Sequence, residues 1–186
     1  MLEIIIPGRG DSELWDEKNS RFVTIPAAPE QKLQLEHSLV SLQRWESKWC
    51  KAFLSKTDKT SDEIIDYIRC MTVTPDVDPD IYARLTQKNL TDINEYINAP
   101  MTATTVSEDK NGKKSRETVT AELIYYWMIS LNIPFECKHW HLNQLLMLIR
   151  VCNAKNTPPK KRSQRDIMNQ YNAINKANRE KFKSKG

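Results

Sequence analysis

Leu39, Leu42, Trp45, Trp49 and Phe53 recur at spacings of three and four residues. An α-helix with one buried face is the element that brings such residues together, so the stretch from Ser38 onward must cover a wide aromatic stripe with other parts of the chain. Arg44, Lys48 and Lys51 fall off that stripe, and the polar run Lys56–Thr60 breaks it. More helical segments follow. Thr60-Ser-Asp-Glu63 has the form of a capping box and predicts a helix to about Met71, with Ile64, Ile65, Ile68 and Met71 buried. Asp80–Leu85 reads as a helical turn, and Thr91–Asn98 as a helix with Leu90, Ile93, Tyr96 and Ile97 on one face. Thr120–Leu131 turns Leu123, Ile124, Trp127, Met128 and Leu131 inward until Asn132-Ile-Pro134 stops it. His139–Asn153 is the most apolar helix, and the last two segments predict an αα-hairpin at the centre of the core.

The first 36 residues have a different period. Leu2–Ile6, Glu13–Trp15, Arg21–Ile25 and Lys32–Glu36 read as short strands, separated by a turn at Gly8-Arg-Gly10 and a polar turn at Asp16–Ser20. Near 102–117 the β-branched Thr102–Val106 and the pair Asn111-Gly112 predict a polar hairpin or a solvated loop. The fold class is therefore mainly α (α+β). A small antiparallel sheet over 1–36 and a helical core of four to five helices over 37–156 make one body, followed by a basic helical tail over 157–186.

The tail differs in charge. From Lys155 onward there are ten Lys or Arg and two acids, a balance of +8, whereas the whole chain is +4, which leaves −4 for residues 1–154. Thr157-Pro-Pro159 enforces extended backbone, and Ser163 can cap a helix over about 164–182. Its apolar residues, Ile167, Tyr171, Ile174 and Ala177, are too few for burial to hold nearly twenty residues, so the helix is expected to be either loosely docked or ordered by a partner. Lys160, Lys161, Arg162 and Arg165 could neutralise phosphates, with Tyr171 stacking on a base, or could meet an acidic protein surface.

Signals for chemistry are weak. Only four glycines occur, and Gly8-Arg-Gly10 completes neither nucleotide-binding fingerprint. Cys137, His139 and His141 suggest a metal site or a Cys–His pair. Helical positions i and i+2 point about 200° apart, however, so the two histidines cannot share a face of a helix. Asp76, Asp78 and Asp80 lack the glycine and distant glutamate of a calcium loop. Cys50, Cys70, Cys137 and Cys152 form no C-x-x-C pair and are expected as reduced core residues. No catalytic residue, metal or cofactor is expected. The N-terminus lacks the form of a signal peptide, and no apolar run approaches a membrane span. Tyr125 and Tyr126 flank the buried stripe of their helix, where they either widen the core face or meet a partner.

Several whole segments carry a resemblance. They are Leu35-Glu-His-Ser-Leu-Val-Ser-Leu42, Trp45-Glu-Ser-Lys-Trp-Cys-Lys-Ala-Phe53, Ile124-Tyr-Tyr-Trp-Met128, Ile133-Pro-Phe135, Trp140-His-Leu-Asn143, Leu148-Ile149 and Pro158-Pro-Lys-Lys161. Together, over Leu33 to about Ala177, the chain resembles the tail assembly chaperones of long-tailed bacteriophages. The resemblance implies a non-enzymatic protein of the host cytoplasm that holds the tape measure protein and recruits tail tube subunits, with self-association compatible. A structural virion component of the tail or neck is the alternative, and a nucleic-acid-binding accessory protein using the basic tail is another.

Overall fold

The structure, a computed structural model, describes residues 1–105, 117–156 and 164–182. The fold is mainly α with a small β component. The chain forms two compact units, Met1–Ala154 and Lys155–Gly186. In the first, β1 (Leu2–Ile6) pairs antiparallel with β4 (Gln31–Leu35), Leu2 opposite Leu35 and Ile4 opposite Leu33. Side chains alternate between the faces of a strand, so Ile4, Ile6, Leu33 and Leu35 all point into the core while Glu3 and Lys32 remain outside.

Between these strands lies a second ribbon, β2 (Ser12–Asp16) with β3 (Arg21–Ile25). The expected single sheet is thus two ribbons in series. Gly8-Arg-Gly10 does not simply turn the chain. Arg9 and Ala28 exchange two 2.8 Å backbone hydrogen bonds that tie the ribbons together. A Cβ on Gly8 would lie 3.0 Å from the Ala28 carbonyl oxygen, so this close backbone approach needs glycine. At the far end the Asp16 carboxylate accepts from the backbone N–H of Lys18 and Asn19, and Ser20 takes a left-handed φ of 46°.

The helices follow their caps. Ser38 and Ser41 form a capping box at the start of α1 (Leu39–Trp49), and Thr60 and Glu63 do the same for α2 (Ser61–Met71). A further box, Thr86 with Asn89, starts α3 (Gln87–Asn98) four residues before the expected Thr91. A 3₁₀ turn over Pro79–Arg84 precedes it. Thr120 caps α4 (Ala121–Ser130), and Asn132 leaves it with φ 53°. The expected helix from His139 begins later. Phe135–His139 is a 3₁₀ turn, and α5 runs Leu142–Asn156. In the second unit α6 spans Gln164–Phe182. Among the described residues no helix is long and apolar enough to cross a membrane.

Two apolar clusters meet along α1. Trp45 joins β1, β4, α2 and α3 through Ile6, Leu35, Ile68, Met71 and Ile93. Leu39 and Leu42, one turn earlier, join α4 and α5 through Ile124, Met128, Leu142, Leu145 and Ile149. The one buried face of the helix is therefore shared between two clusters, while Gln43, Arg44, Ser47 and Lys48 on its other side are exposed. Glu46 reinforces the junction, accepting from Phe53 N–H at 2.9 Å and from Ala121 N–H, the first of α4, at 2.7 Å. Burial raises its carboxyl above the usual range.

Several expectations need correction. Phe53 lies beyond the end of α1, reached through a left-handed Cys50 with φ 51°. Cys50 is exposed rather than in the core, Cys70 and Cys152 are half-buried, and only Cys137 is fully buried; all four are free. Ile64 is exposed because it lies on the outer side of α2. Thr102–Thr105 is irregular rather than strand, with Thr104 N–H donating to the Thr102 hydroxyl. Val106, Asn111 and Gly112 of the expected hairpin, and Ser163 of the expected cap, lie outside the described residues.

Candidate interaction surfaces and the buried histidine cluster

The histidines are organised differently from their sequence spacing. His139 is exposed at the end of the 3₁₀ turn, its Nδ1 3.3 Å from Glu36 Oε1. His141 is buried, and its Nε2 donates to the Tyr96 carbonyl at 3.0 Å. That bond leaves Nδ1 as an acceptor for Asn143 N–H, so the neutral ring is held in one tautomer. Its neighbour is His37, 5.0 Å away between ring centres, whose Nδ1 lies 2.6 Å from the Tyr67 hydroxyl. The His37 carbonyl accepts from Leu142 N–H at 2.8 Å, which joins the end of β4 to the start of α5.

Burial, with a smaller push from His141, drives the His37 imidazole down to about 3, and burial lowers His141 as well. Both rings are neutral near pH 7. Burial also raises the Cys137 thiol, with a further push from Glu136, which is the opposite of what an activated nucleophile needs. Among the described residues no group of three His, Cys, Asp or Glu could hold a metal ion. The cluster's geometry is that of satisfied core hydrogen bonds joining β4, α2, α3 and α5.

The candidate contact residues separate. Tyr125 is half-buried against the second cluster, and its hydroxyl donates to Gln43 Oε1 at 3.1 Å. Tyr126 turns the other way and is 63% exposed, next to Ile129 three residues on, which is also exposed. Arg165 and Tyr171 are exposed on α6. Lys160, Lys161 and Arg162 lie outside the described residues. On α6, Met168, Tyr171, Ile174 and Phe182 are all exposed. At 100° per residue they occupy one side of the helix; Arg165 and Lys176 lie away from it, whereas Arg179 and Lys181 flank it.

Sequence reasoning missed two surfaces. The β2–β3 ribbon exposes Leu14 and Val23 on one face and Trp15 and Phe22 on the other. Their strands were legible, but alternation alone does not reveal that neither face is covered by the described residues. The other surface is an open groove of about 680 Å³ between the segment after α1 and helices α4 and α5, floored by Leu54, Val119, Trp127, Leu146 and Ile149. Lys56, Arg150 and Glu117 stand at its rim. The groove's residues come from four segments, so no local pattern announces it.

No protein-family model, curated protein or solved structure matches the chain.

Proposed function

We propose that this chain is a non-enzymatic assembly factor of long-tailed bacteriophages, a tail assembly chaperone that holds the tape measure protein in the host cytoplasm and brings tail tube subunits to it. The resemblance of whole segments between Leu33 and about Ala177 supports the identity. One structural observation carries the mode of action. In the compact unit Lys155–Gly186, α6 presents Met168, Tyr171, Ile174 and Phe182 to solvent along one side, flanked by the basic Arg179 and Lys181. A helix that leaves its apolar side uncovered gains from burying it on a partner, and an elongated helical client offers matching faces. The exposed pair Tyr126 and Ile129 on α4 adds a second, smaller contact area.

Coexpression with the tape measure protein tests this. The client should remain soluble with the intact chain and precipitate when Tyr171 and Ile174 are both changed to Ser. A client that is equally soluble with and without the chain refutes the proposal. The four basic residues Arg165, Lys176, Arg179 and Lys181 on α6 favour nucleic acid as a second reading. Its signature would be DNA binding that weakens steeply with added salt.

A further inference from the structure

The β2–β3 ribbon stands apart from the helices. Its base is closed by the Arg9–Ala28 bridge and by the bond from Ala27 N–H to the Asp11 carboxylate. An isolated two-stranded hairpin is marginal in water, and this one exposes large apolar side chains on both faces. Trp15 and Phe22 lie directly opposite each other, with ring centres 4.9 Å apart in an edge-to-face pair. Trp15 is 49% and Phe22 66% exposed. Glu13 lies two residues before Trp15, hence on the same face of the ribbon. Ribbon residues 11–25 carry four acids (Asp11, Glu13, Asp16, Glu17) and two bases (Lys18, Arg21), a balance of −2.

The groove by α4 and α5 has the complementary character. Its floor is apolar, with Trp127, Leu146 and Ile149, and its rim carries Lys56 and Arg150 against Glu117. Among the described residues neither Lys56 nor Arg150 is in an ion pair.

We infer that the Trp15–Phe22 face of the ribbon seats in the Trp127–Ile149 groove of a second copy of this chain, with Glu13 against Arg150. Size decides the form of the assembly. At half to two-thirds exposure, the two rings offer roughly 250 Å². One seated arm therefore buries about 500 Å² counting both sides, short of the roughly 1,000 Å² that a specific interface needs. Two arms exchanged reciprocally reach that threshold, so the assembly is a two-fold dimer at the small end of specific interfaces.

Sedimentation velocity on the full chain over a concentration series reads this directly. The expected species at high concentration has twice the 21.7 kDa chain mass. Replacing Trp15 and Phe22 by Ser should weaken dimerisation at least tenfold with the helical circular dichroism unchanged, because both rings are already exposed. Arg150→Glu should weaken it as well, and Glu13→Arg introduced together with Arg150→Glu should restore it. A chain that is monomeric at about 100 μM overturns the inference. So does a dimer indifferent to the ribbon and Arg150 substitutions, which would leave the groove to a client segment or to the tail.

Discussion

Lowering the pH from about 7 to about 5 should destabilise the body by about 2 kcal/mol through His37 alone. The imidazole is held near 3 in the folded chain and returns to about 6.5 on unfolding. A group whose folded pKa is depressed binds its proton more readily in the unfolded chain. The stability it confers is complete above about 6.5 and is lost progressively as the pH falls towards about 3. His141, also lowered by burial, acts in the same direction. Glu46, raised by burial, acts in the opposite one. The lowered carboxyls of Glu63 and Asp66, beside Lys51 and Lys48, lose their protection only under more acid conditions. The assay is urea unfolding at both pH values, comparing the wild-type chain with His37→Gln, which cannot take up a proton. The variant should be less stable near pH 7, having lost the bond to Tyr67, but should show a shallower loss on acidification. Against a typical domain stability of about 5–15 kcal/mol, a 2 kcal/mol difference is readily measured. Parallel pH dependence in the two proteins would refute the assignment of a buried, neutral His37.

Three further outcomes follow from particular contacts. Glu46→Ala strands the N–H groups of Phe53 and Ala121 and should cost about 2–4 kcal/mol in thermal unfolding, with Glu46→Gln losing less. Thr60→Ala removes the oxygen that accepts from Glu63 N–H and should cost about 1 kcal/mol, read by urea denaturation. Gly8→Ala drives a methyl group against the Ala28 carbonyl and should cost about 1–3 kcal/mol locally; the amides of Arg9 and Ala28 should exchange with solvent faster, while those of α5 stay protected.

Helices were legible wherever a cap and a stripe coincided. Thr60 with Glu63 and Thr120 before Ala121 mark starts that local hydrogen bonding enforces whatever packs outside. The start of α3 was misplaced because its box uses Asn89 in place of an acid. His139 to His141 looked helical by their apolar surroundings, yet Pro134 and the 3₁₀ turn that follows, anchored by the buried Cys137, delay α5 to Leu142. Of the candidate contact residues, Tyr126 and Tyr171 are exposed, while Tyr125 is taken up by Gln43 and the second cluster.

The sequence by itself determined the elements, because caps, turn residues and hydrophobic period act over three to seven residues. It also determined the charge contrast between residues 1–154 and the tail, which is a matter of composition alone. Only the tertiary structure decided that α1 is shared by two clusters, that His37 and His141 from distant segments share one buried site, and that the ribbon and the groove remain uncovered among the described residues. Those facts depend on which faces meet across a hundred residues of chain, and periodicity shows that a face is apolar without showing what, if anything, covers it.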